Sequence, residues 1–173
     1  MKKIGLLSDT HGFIHPRVFD FFSDCDEIWH AGDIGNVDVC DKINAYKPLK
    51  AVYGNIDGHE LRQIYPVIQH FTCENLKVMI THIAGYPGKY AKGINQIIKE
   101  TKPDLLIAGH SHILKVIPDK RNRLLFINPG AAGIQGFHSS ITFVRLRISG
   151  NQIHDLEVLD INRPSLSDSV NRP

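Results

Sequence analysis

Short apolar runs alternate with amphipathic, more polar stretches through the first third of the chain. Ile4-Gly5-Leu6-Leu7 precedes the stretch from Pro16 to Phe22, Glu27-Ile28-Trp29-His30 precedes Val37 to Tyr46, and Lys50-Ala51-Val52-Tyr53 comes next. That rhythm predicts a βαβαβ unit. Pro16 suits the first turn of a helix, where its missing N–H has no intrahelical partner to lose. Val67 to Cys73 and Lys77 to Thr81 are β-branched-rich and joined by turn-forming Glu74-Asn75, which predicts paired strands. Lys89 to Glu100 reads as an amphipathic helix with Tyr90, Ile94, Ile97 and Ile98 on one face, ended by Pro103. Beyond it the pattern turns to strands: Leu105 to Ala108, Ile113 to Ile117, Leu124 to Ile127, Ile141 to Ile148 and Ile153 to Leu159. Ser149-Gly150-Asn151 is a hairpin signal between the last two. Ile141, Phe143 and Arg145 alternate with Thr142, Val144 and Leu146, so the first of that pair should have one wetter face. An α/β domain of two stacked sheets with helices outside is the simplest arrangement.

Length and composition narrow this only a little. The 173 residues, 42% of them hydrophobic, suit one domain with a substantial core, expected over 1–162, with a polar, proline-bearing tail over 163–173 that should be poorly ordered. Twenty basic and 18 acidic residues are interspersed, with no basic stripe for duplex nucleic acid. Cys25, Cys40 and Cys73 are too scattered for a disulfide framework or a thiolate zinc site, which points to a reducing, cytoplasmic setting. No run approaches the roughly 18 to 20 apolar residues of a membrane span. Asp9 and His11 interrupt the N-terminal apolar run too early for an export signal.

The chemistry lies at the carboxyl ends of the predicted strands. The first ends in Ser8-Asp9-Thr10-His11-Gly12, the second in Ala31-Gly32-Asp33-Ile34-Gly35, and the third in Tyr53-Gly54-Asn55-Ile56-Asp57. Later, one strand ends in Thr81-His82 and another in Gly109-His110-Ser111-His112. Such strand ends are where α/β sheets form binding crevices, and glycine beside a ligand lets backbone turn tightly or approach an ion closely. Asp9, His11, Asp33, Asn55, His82, His110 and His112 are too many for one tetrahedral ion and suit two ions joined by a carboxylate. Imidazole and carboxylate without thiolate favour Mn, Fe, Zn, Co or Ni over copper(I) or an all-oxygen calcium site. Two divalent cations, two aspartates and a bridging hydroxide would still attract an anion such as a phosphate ester.

This ordered series resembles the calcineurin-like metallophosphoesterases, and most closely their small single-domain bacterial and archaeal phosphodiesterases, which share a fold with the retromer subunit. The resemblance spans Ile4 to about Leu159. It implies a four-layer α/β/β/α sandwich of two mixed β-sheets flanked by helices. Asp9, His11, Asp33 and His112 then look like the ligands of one metal, and Asp33, Asn55, His82 and His110 like those of the other, with Asp33 as the bridge. It implies a phosphodiesterase using a metal-bridging hydroxide and two divalent ions, manganese first, with Asp33, Asn55 and His82 acting through the metals. The expected partner is a small phosphoester, with no membrane or dedicated nucleic-acid surface and a homo-oligomer left open. A phosphomonoesterase, or a non-catalytic interaction scaffold of the same fold, is the alternative.

One departure stands out. Many members of the family place a histidine directly after the metal-binding asparagine to assist the leaving group, and here that position is Ile56. Loss of a general acid typically costs about 10²- to 10⁴-fold, which favours diesters and activated aryl esters as substrates. Asp57 and His59 are the nearby candidates to substitute. His30 lies on the alternate face of its strand and reads as a packed residue behind the site. His15, His70 and His154 have no supporting context. Asn128-Pro129-Gly130 resembles a loop near the site in the small phosphodiesterases, and His138 beyond it is a candidate for substrate contact.

Overall fold

The computed structural model describes residues 1–163, and its first 64 residues deliver the predicted βαβαβ unit with one helix added. Strand β1 (Lys2–Leu7), helix α1 (Arg17–Phe21), β2 (Glu27–His30), α2 (Val37–Tyr46) and β3 (Leu49–Ala51) are followed by the additional helix α3 (His59–Ile64). Then come β4 (Ile68–Cys73), β5 (Leu76–Thr81), β6 (Gly85–Tyr86), β7 (Lys89–Tyr90), α4 (Ile94–Thr101), β8 (Leu105–Ile107), β9 (Leu114–Asp119), β10 (Leu124–Pro129), β11 (Ser140–Ser149) and β12 (Gln152–Asn162). The strands form two five-stranded sheets in the orders β12-β11-β1-β2-β3 and β4-β5-β8-β10-β9, plus the two-stranded β6-β7 ribbon. Strands β1, β2 and β3 run parallel, as do β5, β8 and β10, while β11, β12, β4 and β9 pair antiparallel with their neighbours, so both sheets are mixed.

Period-two alternation decides which side chains meet. Ile4 and Leu6 of β1, Trp29 of β2 and Val144, Leu146 and Ile148 of β11 face Val78 and Ile80 of β5, Leu105 and Ile107 of β8 and Ile127 of β10 between the sheets. The opposite face of the first sheet, with Leu7, Ile28 and Phe143, packs on Val18 and Phe22 from the α1 turn and Val39, Cys40 and Ile43 of α2. Met79, Leu106 and Phe126, on the outer face of the second sheet, pack on Ile94 and Ile98 of α4. The result is the expected order of helices, sheet, sheet, helix. Arg145 and Arg147 supply the wetter face of β11, with Arg145 paired to Asp24 and Glu157.

Two local expectations are corrected. The helix expected over Lys89 to Glu100 begins only at Ile94: Gly93, at φ 86°, breaks the chain direction, and Lys89 and Tyr90 instead pair with Gly85 and Tyr86 in the β6-β7 ribbon. Tyr90 is therefore off the helix face, and its hydroxyl donates to Asp119 Oδ2 at 2.7 Å. The segment after Asn55 carried no predicted element, yet His59–Ile64 is helical and Leu61 docks into the α1/α2 layer. Arg163, expected in the tail, donates to the backbone oxygens of Gly136 and His138, while 164–173 lie outside the described residues. No described helix is long and apolar enough to cross a membrane.

Gly5 shows how tightly the helix layer sits on β1. A Cβ built there would come within 2.8 Å of the Phe22 ring, itself fully buried against Phe143. Alanine in a strand is ordinarily better than glycine by about 0.5 to 1 kcal/mol, but overpacking a rigid core costs about 1 to 3 kcal/mol and should win here. Gly5→Ala is expected to lower the urea midpoint without changing the slope of the transition; equal or higher stability would show that the α1 turn can move away.

Candidate metal centre

Five strand ends converge. Asp9 and His11 follow β1, Asp33 follows β2, Asn55 follows β3, His82 follows β5, and His110 and His112 follow β8, so both sheets contribute. Backbone bonds lace the loops together: Asp9 N–H donates to Gly32 O, His11 N–H to Asp33 O, and Gly109 N–H to His82 O, at 2.9 to 3.0 Å. The glycine preceding Asp33, Asn55 and His110 is required for space. A Cβ on Gly32 would lie 2.7 Å from His82 Cβ, one on Gly54 would overlap the Asp33 carboxylate, and one on Gly109 would overlap Ser8 and Asp9. Three of the five strand ends thus give up a side chain to admit a functional group from another strand end.

The structure brings all seven sequence-predicted residues into one cluster. Ligand-type atoms of Asp9, His11 and His112 lie within 4.8 Å of one another, and the same holds for Asp33, His82 and His110. The groups adjoin: His11 Nε2 is 3.9 Å from Asp33 Oδ2, and His82 Nε2 is 4.0 Å from Asp9 Oδ1. Asn55 Oδ1 lies 3.1 Å from His82 Nε2, which places it with the second group. Five of the nine non-glycine residues with positive φ among those described are Asp9, His11, Asp33, His110 and His112. Left-handed backbone at bulky residues is strained, and here it coincides with the functional loops.

Electrostatics favour occupation by cations. Asp9 is fully buried and Asp33 nearly so, and among the described residues their only ion-pairing neighbours are histidines. Burial pushes the Asp33 pKa up, but its contact with His82, the Ile56 N–H at 3.0 Å and the charges of His82 and His11 bring it below the usual carboxylate range. For His82, burial pulls downward and is outweighed by Asp33, by the charges of Asp9 and Asp33 and by the Ala31 carbonyl, so its pKa is raised. Two buried carboxylates amid imidazoles, with neither lysine nor arginine among the described residues paired to them, form a donor set that divalent cations fit.

Groups behind the cluster fix how the imidazoles point. His82 Nδ1 lies 2.8 Å from Ala31 O, which can only accept, so Nδ1 carries hydrogen and Nε2 is the nitrogen turned toward Asp33 and Asn55, the one left to ligate a cation in place of its proton. A two-ring relay does the same for His112. His138 Nε2–H donates to Gly133 O at 3.0 Å, leaving its Nδ1 to accept from His112 Nδ1 at 3.2 Å, so His112 Nε2 faces Asp9 and His11. His138, a candidate for substrate contact from sequence, therefore has both nitrogens engaged in this relay. His30 is packed as expected: its Nδ1 accepts from Gly32 N–H, and its Nε2–H donates to Thr10 Oγ1, which donates to Ile34 O.

Asp57 does not stand in for the missing acid. Its side chain is buried, with Oδ2 accepting from Ile34 and Gly54 N–H and Oδ1 from Gly35 N–H, so it ties the β2 loop to the β3 loop. Arg62 completes that tie by donating to the carbonyls of Asp57 and Asn55. His59 is exposed on α3 and is absent from both groups. Asn128 Nδ2 donates to Gly109 O and Ser111 Oγ, supporting the loop that carries His110 and His112. These roles depend on long-range contacts with no local sequence signal.

Two outcomes are expected. Removing the acceptor with His138→Phe should weaken metal binding at the Asp9–His11–His112 group about 10- to 100-fold, measured calorimetrically with Mn²⁺, whereas His138→Gln, which can still accept, should retain most of it. Equal affinity in both variants would refute the relay. Burial lowers the His30 pKa from the ordinary 6.5 to about 4. Below pH 6.5 the unfolded chain takes a proton that the folded one refuses, so stability present above that pH falls toward pH 4, by up to about 3 kcal/mol. In chelator-treated protein the pH dependence of the urea midpoint should flatten in His30→Gln.

The calcineurin-like phosphoesterase superfamily domain model matches residues 1–151. A probable metallophosphoesterase of Methanothermobacter thermautotrophicus is 30% identical over 168 residues, covering 93% of this chain and 94% of that one. Among solved structures, one described as a novel archaeal phosphodiesterase aligns with TM-score 0.67 and 25% identity over 91% of this chain and 99% of its own. Vps29 of Entamoeba histolytica complexed with Zn²⁺ aligns with TM-score 0.70 at 17% identity over 94% and 99%, a likeness of fold. With the family model spanning most of its length, this chain belongs to the calcineurin-like phosphoesterase superfamily, as a metal-binding phosphoesterase.

Proposed function

We propose that the protein is a phosphodiesterase that works with two divalent cations, manganese first among the candidates, on a small phosphoester. The observation that carries this is the pair of adjoining His/Asp groups built from four strand ends, each around a buried aspartate, with Asn55 joining from a fifth. Asp9, His11 and His112 would hold one cation and His82, Asn55 and His110 the other, with Asp33 between them. Bound cations would supply Lewis acidity toward the phosphate oxygens and a water acidic enough to attack phosphorus near neutral pH.

The chain's own residues set the remaining terms. His82 and His112 present Nε2 to the centre because Ala31 O and His138 hold their Nδ1 hydrogens. The backbone N–H of Ile56 anchors Asp33. Asn55 reaches the site from an exposed turn, where its amide can donate to a phosphate oxygen while its carbonyl oxygen faces His82. The Ile56 side chain offers no proton to a departing alkoxide, so cleavage of the P–O bond depends on how well the alcohol leaves unaided. That favours esters of good leaving groups, and the 25%-identical archaeal phosphodiesterase supports diesters over monoesters.

With Mn²⁺ restored to metal-stripped protein, bis(p-nitrophenyl) phosphate should be hydrolysed, and Asp33→Ala should lose at least about 10³-fold in kcat/KM. Activity surviving intact in that variant would sink the proposed centre and favour the interaction-scaffold reading. Ile56→His should raise kcat for alkyl esters, which leave poorly, more than for p-nitrophenyl esters, within the roughly 10²- to 10⁴-fold reach of general acid catalysis. Equal gains on both would remove the leaving-group argument.

A further inference from the structure

Two recesses open onto the centre and share no lining residue. The first, about 440 Å³, borders Asn55 and His82 and has apolar walls that include Val67, Ile83 and Ile97. The second, about 500 Å³, borders His110 and His112 and is walled by Ile113 and Phe137. Both volumes lie in the ordinary range for small-molecule sites. The apolar residues at their mouths are exposed rather than packed into the core: Ile83 is 42% accessible, Ile113 56%, and Phe137 wholly so. An apolar rim around a buried, charged centre marks a surface suited to an apolar occupant.

A phosphomonoester has one organic arm and would leave one recess idle, whereas a phosphodiester has two. The recesses also differ in charge. Lys92 and Arg62 line the first, and among the described residues no carboxylate does. Arg62 is engaged by the Asp57 and Asn55 carbonyls, but Lys92 is exposed and has no ion-pair partner among the described residues. Among the described residues no lysine, arginine or carboxylate lines the second recess, and Arg163 next to it is engaged by the Gly136 and His138 carbonyls.

We infer that the substrate is an unsymmetrical phosphodiester, with a neutral apolar arm beside His112 and Phe137 and, beside His82, a second apolar arm whose additional anionic group reaches Lys92. This rests on the phosphodiesterase reading and adds the identity of the arms.

Two probes differing in one group test it: the p-nitrophenyl diester of thymidine phosphate, with and without a second phosphate on the remaining sugar hydroxyl. With Mn²⁺-loaded protein at low ionic strength, the extra phosphate should lower KM about fivefold with little change in kcat, the size of one exposed charge pair. Lys92→Ala should erase that ratio and Lys92→Arg restore it. Phe137→Asp should raise KM for both probes and leave the ratio alone. Metal content, measured on each variant, should match the parent. If both probes turn over with the same KM, or the ratio survives Lys92→Ala, the assignment of the arms is wrong while the diesterase reading stands. If neither probe is cleaved, that reading falls and takes the arms with it.

Discussion

Burying Asp9 and Asp33 together is the constraint around which this fold is organised. Two carboxylates taken out of water within reach of shared imidazoles repel each other and lose hydration worth several kcal/mol per ion. The chain offsets part of that with backbone donors, His110 N–H to both oxygens of Asp9 and Ile56 N–H to Asp33. It supplies no lysine or arginine to either carboxylate among the described residues. The remaining negative charge and the lone pairs aimed at it give the cluster the right sign for divalent cations. A protein selected only for stability gains little from such an arrangement, since an apolar replacement of buried charges is often neutral or better.

The positions of strain follow from the same demand. Asp9, His11, Asp33, His110 and His112 all have left-handed backbone, which costs on the order of 1 kcal/mol or more per residue. Such conformations persist only where the surroundings overdetermine them. Here the surroundings are the inter-sheet core below, with Trp29, Leu6 and Ile107, and a ring of polar ties above it. His30 joins the β1 and β2 loops through Thr10 and Gly32, and Asp57 joins the β2 and β3 loops through three N–H groups. Neither residue belongs to the two groups of ligand-type atoms, and each is buried. The precision of the cluster thus originates one layer behind it.

What sequence could show divides along the range of the interactions. Strand faces were legible because alternation is local: Ile4 and Leu6 against Leu7, or Val144 and Leu146 against Arg145, sort themselves by period two. The seven cluster residues were legible because each sits at a strand end, and all but His82 lie next to a glycine or serine. The reason for the glycines was not, since Gly54 is emptied for Asp33 and Gly109 for Asp9, contacts between distant segments. The helix boundary failed at Lys89 and Tyr90 because their spacing to Ile94 fits a helix, while pairing to Gly85 and Tyr86 is decided by a ribbon no periodicity announces. The engagement of Asp57 and His138 was equally hidden. An aspartate in a turn and a histidine in a loop read as solvent-facing until the N–H groups and the His112 ring around them are in place.

Position 56 separates two properties that could have been coupled. Its backbone N–H holds Asp33 Oδ1, and its side chain projects outward, 47% exposed. Any residue with an N–H can perform the first task, so the side chain is free to vary without disturbing the carboxylate between the two groups. Isoleucine there offers no proton and leaves the anchoring intact. A complete donor set and a side chain without a proton at position 56 are therefore compatible: under the proposed function the first concerns holding cations, the second which alcohol can depart. An apolar residue at that position also makes the surface around the centre more apolar, like Ile83 and Ile113 one residue beyond their own histidines. Three strand ends thus place an exposed isoleucine directly after a cluster residue, so under the proposed function the organic groups of the substrate would meet an apolar surface where its phosphate meets the centre.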